Sequence, residues 1–276
     1  MRLQLSILLG LLSTFAAVAG PERRFTVGWT NNLLTVAHPD LPGGKLEVLY
    51  LEAFLRPGAN RQDWGKTRVP HRTILTGTTP NQAELRFRTV VEPDIEVLHE
   101  VRAGADEIDF TFTIRNPGDR PSDLLWFQPA CIRVAGFTGR SQSDYTGRSF
   151  VFTTNGLTTL DKLGRTTDAL YLGGQVFLPP WTRVADANPR PVARDRLANG
   201  LIGCFSADDR WLLATASDRT HELFEGVYVC LHSDPLIEGL KPGETKRIRQ
   251  KLYLLPNDPA ALLRRYWRDF PDRDRW

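Results

Sequence analysis

The chain has 276 residues, enough to bury a sizeable core, and its 35 Lys+Arg against 32 Asp+Glu leave a formal charge of +3. So small an excess, with no dense basic run, argues against a nucleic-acid partner. Lys occurs only at 45, 66, 162, 241, 246 and 251, so the cations are mostly guanidinium forks, suited to planar recognition of carboxylates and hydroxyls.

At the N-terminus Arg2 precedes an apolar run from Leu3 to Phe15, interrupted by Gln4, Ser6 and Ser13, and then Ala17-Val-Ala19. A positive start, a run too short for a bilayer and a small-residue site predict an export signal over 1–19, cleaved before Gly20. Residues 20–276 are then expected to form one domain outside the cytoplasm, periplasmic or secreted. No later run reaches membrane-spanning length, so no stable membrane insertion is expected after signal removal.

Strand-like segments follow at 25–30, 33–38, 46–55, 84–91, 95–101, 107–114, 124–127, 149–153, 170–177, 201–205, 211–216, 227–232 and 247–255, separated by Gly, Pro, Asn and Asp. Residues 107–114 alternate strictly, with Ile108, Phe110, Phe112 and Ile114 on one face. Many short strands without a βαβ rhythm predict an all-β, two-sheet antiparallel sandwich. Residues 56–68 and 179–199 read as long loops, and both hold Trp, which suits ordered rim segments better than disorder. One helix is expected over 258–270: Asp258 caps it, Pro259 fits its first turn, and Leu262, Tyr266 and Phe270 recur every four residues. Cys131, Cys204 and Cys230 each lie in an apolar run and read as buried small side chains. No spacing suggests zinc, and neither a metal nor a cofactor is expected.

Two stretches carry a resemblance. Residues 107–131 hold the alternating strand, the turn Asn116-Pro-Gly-Asp119 and a second run through Phe127-Gln128-Pro129; residues 226–255 hold Val229-Cys-Leu-His-Ser-Asp-Pro235, then Gly239-Leu-Lys-Pro-Gly-Glu244 and a closing strand. Together they resemble the galactose mutarotase-like, or aldose epimerase-like, β-sandwich proteins. The resemblance implies a mutarotase-like supersandwich and a sugar-handling cleft. The family's substrate-binding His falls on Gln128 and its catalytic Glu on His232. An amide transfers no proton at ordinary pH, so ordinary aldose 1-epimerisation is not expected, whereas His232 titrates near neutrality and is the candidate catalytic residue.

Around these, Arg72 and His71 are candidate substrate donors with Gln128, Arg133 and Asp234, while Trp64 and Trp181 are candidate stacking platforms for a pyranose face. Tyr145, beside Arg148, is a candidate base for elimination from a uronide. The expected ligand is a carbohydrate, with epimerase, hydrolase and lyase chemistry open. The alternative is a non-catalytic extracytoplasmic interaction module on the same scaffold, because a fold does not fix a function. The geometric expectation is that Gln128 and His232 meet on one open face.

Overall fold

The computed structural model describes residues 24–271. The expected export signal lies outside them. Two antiparallel sheets face each other. The larger has nine strands, in the order Gly156–Thr159, Ser149–Thr153, Leu197–Phe205, Trp211–Ser217, Thr245–Pro256, Glu107–Arg115, Ile95–Ala103, Glu84–Val91 and His71–Thr78. The smaller runs Thr26–Thr30, Leu33–Ala37, Lys45–Leu49, Cys131–Arg133, Cys230–Pro235, Thr220–Glu225 and Gln175–Phe177. This is the expected two-sheet sandwich.

Period-2 alternation builds its centre. Ile108, Phe110, Phe112 and Ile114 point inward and are fully buried, as are Ile248 and Leu252 of the neighbouring strand; Val48, Ile132, Leu223 and Leu231 meet them from the smaller sheet. Polar residues that enter this core bridge the sheets: Gln250 Nε2 donates to Ser233 O at 3.1 Å, and Ser217 Oγ lies 3.1 Å from Ser233 Oγ. The helix Pro259–Asp269 covers the opposite face of the larger sheet, setting Leu262, Tyr266 and Phe270 with Phe150, Leu212 and Tyr253. Asp258 Oδ1 accepts from the Ala260 and Ala261 amides, as its capping position predicts.

Several boundaries differ from expectation. The run 46–55 is not one strand: Lys45–Leu49 pairs with Cys131–Arg133, the chain bends, and Ala53–Leu55 joins a separate three-stranded sheet with Trp126–Gln128 and Arg68–Val69. The chain makes the matching change across Pro129, where a missing N–H interrupts the ladder. These paired jogs place Glu52 and Gln128 side by side, with the Glu52 amide donating to Gln128 O at 2.9 Å. No described helix is long and apolar enough to cross a membrane.

Candidate functional site

The strand Cys230–Pro235 explains the site. Leu231 enters the core and Ser233 bonds inward, so alternation turns Cys230, His232 and Asp234 to the outer face of the smaller sheet. All six residues are nevertheless buried, because loops roof that face. Beneath the roof lies a cavity of about 300 Å³ lined by Glu52, Trp64, Gln128, Cys131, Tyr171, Asn188, Arg190, Phe224, Tyr228, Cys230 and His232 among others. Gln128 and His232 therefore meet, as the resemblance implied.

The roof is cross-linked. Asp63 caps the short helix Trp64–Thr67 through the Gly65 amide and accepts from Tyr171 Oη at 3.0 Å; the Arg190 guanidinium lies 4.9 Å from the centre of the Tyr171 ring. Gly58 N donates to Asp186 Oδ1 at 2.9 Å and Asn60 Nδ2 to Asn188 O at 3.0 Å. The two long loops read from sequence thus order each other at one rim.

At the floor, Gln128 Nε2 donates to Asp234 Oδ2 at 2.9 Å, His232 Nδ1 lies 3.5 Å from Asp234 Oδ1, and His232 Nε2 lies 3.5 Å from Cys230 Sγ. Burial alone would depress the His232 pKa; the charges of the Cys131 sulfur and the Asp234 carboxylate overcome it and hold the imidazole well above its usual range. Hydrogen bonding from Cys131 favours the Cys230 thiolate and, aided by His232 against burial, brings its pKa down to about 4; Cys131 is pushed up correspondingly. The two sulfurs and the imidazole titrate as one coupled cluster, whose contacts favour negative charge on sulfur beside a charged ring. Burial raises Glu52 and Asp234, with His232 opposing both shifts. On the next strand Glu222, across from Asp234, is raised well above its usual value by burial and then by the Asp234 charge. His232 Nδ1, Asp234 Oδ1, Glu222 Oε1 and Glu52 Oε2 are buried without hydrogen-bond partners. Several titratable groups crowded around one recess can hold and move protons.

The other expected residues divide. Trp64 and Asp234 belong to this site, the first in its wall and the second behind His232. His71 lines an adjoining recess that shares Glu52, and its Nε2 lies 3.3 Å from Leu51 O. Arg72 does not reach the cavity: it pairs with the exposed Val90 while His71 pairs with the buried Val91, so alternation turns it outward. Arg133 is exposed on the strand beyond Cys131 and is not in the lining. Trp181 lies instead in a cavity of about 430 Å³ with Asp218, Arg219 and His221, its Nε1 donating to Thr220 O. Tyr145 is fully buried and donates to Glu225 Oε1 at 2.8 Å, and Arg148 donates to Ser206 O, so neither faces the cavity. Sequence reasoning missed Glu52, Cys131 and Cys230. Cys204 packs in the core as expected, but the other two thiols face the cavity.

No family model and no curated protein matches the chain. Solved structures do. A galactose mutarotase-like protein from Lactobacillus casei is 9% identical, covering 84% of this chain and 100% of its own, with a TM-score of 0.45. A galactose mutarotase related enzyme from Lactobacillus acidophilus is 11% identical over 85% and 98%, at 0.42. A galactose mutarotase-like protein from Clostridium acetobutylicum is 8% identical over 83% and 94%, also at 0.42.

Proposed function

We propose that the mature chain is an exported carbohydrate-binding protein that takes one sugar ring into the cavity above Gln128 and His232. The supporting observation is the pairing of an aromatic rim, Trp64, Tyr171 and Tyr228, with a buried polar floor of Gln128, Glu52 and His232. A pyranose matches that division, with its C–H faces against rings and its hydroxyls toward fixed donors and acceptors. A volume near 300 Å³ suits one ring better than an extended chain.

Glu52 and His232 are the groups that would move protons on the bound sugar; both are shifted toward their protonated forms by their surroundings, so each acts first as an acid. Gln128 orients Asp234 and moves no proton, so proton transfer in this reading falls to Glu52 and His232. Arg190 at the rim favours sugars carrying a carboxylate.

The test is a glycan array spanning neutral and acidic sugars, followed by calorimetry and product analysis on each hit. His232→Ala and Trp64→Ala should each weaken the hit. Binding unmoved by both, or no binding at all, would leave the non-catalytic interaction module as the better reading.

A further inference from the structure

Antiparallel pairing of Ile132 with Leu231 sets Cys131 across from His232 and Cys230 diagonal to it on the same face. The donor atoms of Cys131, Cys230 and His232 all lie within 4.8 Å of one another, and all three side chains line the cavity. Among the described residues no other group of His, Cys, Asp or Glu meets that geometry. The 3.5 Å from Cys230 Sγ to His232 Nε2 matches a tetrahedral zinc ion, whose bonds of about 2.3 Å to sulfur and about 2.0 Å to nitrogen put those atoms roughly 3.5 Å apart.

The surroundings are arranged for the same purpose. Nε2 faces the sulfurs and Nδ1 faces Asp234, which Gln128 holds in place. A carboxylate behind a ligating histidine fixes its tautomer and raises its basicity. His232 Nδ1 and Asp234 Oδ1 are both unpartnered at 3.5 Å, a gap that closes to a hydrogen bond once Nε2 is ligated and Nδ1 keeps the proton. Glu52 lines the same cavity and has one carboxylate oxygen unpartnered.

We propose that Cys131, Cys230 and His232 bind one zinc ion whose fourth position opens to the cavity beside Glu52. Two thiolates and an imidazole form a soft-to-borderline donor set that selects zinc over magnesium or calcium. On binding, the protons held by the thiols and the imidazole's Nε2 leave to solvent, and two thiolates neutralise the ion. Zinc would take the Nε2 lone pair and leave Glu52 as the carboxyl group beside the open position. The inference does not rest on the carbohydrate reading, because metal binding is measured without sugar.

The full chain, reduced and stripped of metal by a chelator, is titrated with Co²⁺. One ion per chain is expected, with thiolate-to-cobalt charge-transfer absorption and the strong visible bands of tetrahedral cobalt, both erased by one equivalent of Zn²⁺. Cys131→Ser and Cys230→Ser should each weaken cobalt binding by about 100-fold or more, and Asp234→Asn by about 10–100-fold. Cys204→Ala, which alters a core thiol away from the cavity, should leave the spectrum unchanged. Circular dichroism on each variant separates lost ligation from lost fold. Absence of the charge-transfer band from the reduced, folded wild-type chain would overturn the proposal, as would a band surviving both Cys→Ser changes. So would a Cys131–Cys230 disulfide whose reduction yields no cobalt uptake. A wrong sugar reading shows differently, as no glycan binding with the cobalt spectrum intact.

Discussion

Two buried histidines stand in opposite surroundings. His99, on the larger sheet, has both ring nitrogens engaged, with Tyr50 Oη at 2.6 Å and Thr89 Oγ1 at 2.9 Å, and stacks on Phe87 at 4.9 Å. Burial drops its pKa to about 3, so it is neutral. His232 is as deeply buried but faces sulfur and carboxylate, leaves Nδ1 unpartnered, and is held charged. Depth of burial therefore does not set the charge of a histidine; completeness of its hydrogen bonds and the charge of its neighbours do.

The contrast breaks most sharply by truncation. His99→Ala leaves the Tyr50 and Thr89 hydroxyls unpartnered around a new void, and should cost about 3–4 kcal/mol in chemical denaturation while sparing ligand affinity of the folded fraction. His232→Ala should also lower stability, because the buried Asp234 loses its charged neighbour, but it alone should weaken the glycan hit, by about 100-fold in calorimetry. If neither variant alters affinity, His232 is another packing residue.

Acidity tests the same pair with opposite signs. His99 is depressed, so the unfolded chain takes up its proton first: its stabilising contribution is present above pH 6.5 and is lost as pH falls toward 3, by roughly 2 kcal/mol between pH 6.5 and 5. His232 is raised, so its contribution is full below pH 6.5 and is lost as pH rises through its folded value. His99→Gln should flatten the acid limb of a stability profile and His232→Gln the alkaline one. Glu225, brought up to about 7 mainly by burial, sharpens the picture: its contribution is present below pH 4.5 and lost as pH rises through 7. Glu225→Gln, which keeps an acceptor for Tyr145, should gain about 2 kcal/mol at pH 8 in the same assay and nothing at pH 4.

The smallest expected effect is at the rim. Trp64→Ala should weaken the hit by about 1 kcal/mol, near fivefold in calorimetry, without moving either limb of the stability profile.

Much of the sandwich was legible because alternation survives wherever one face is buried and the other is not: 84–91 matches the observed strand to the residue and 107–114 stops one residue short. His71–Thr78 was missed because it is an edge strand with exposed Ile74 and Leu75 among threonines, which gives no alternating signal. Thr220–Glu225 was missed because the roof buries all six residues and erases the pattern. Within the cavity, Gln128 and His232 could be read only through the resemblance. Glu52 was hidden in a run taken as continuous strand, although Leu51 breaks its alternation by being buried beside Tyr50. Cys131 and Cys230 lie far apart in the chain and meet through a ladder, so no local spacing could announce them. His99 carried no mark in the sequence that distinguished it from His232.

The ladder also ties function to folding accuracy. In Cys230–Pro235 the odd positions fill the core and the even ones face the cavity. A slip of one residue would drive Cys230, His232 and Asp234 into hydrocarbon and strand Leu231 among acids. The chain carries its own proofreading, since the error that would misplace the cavity groups is the same error that removes the core.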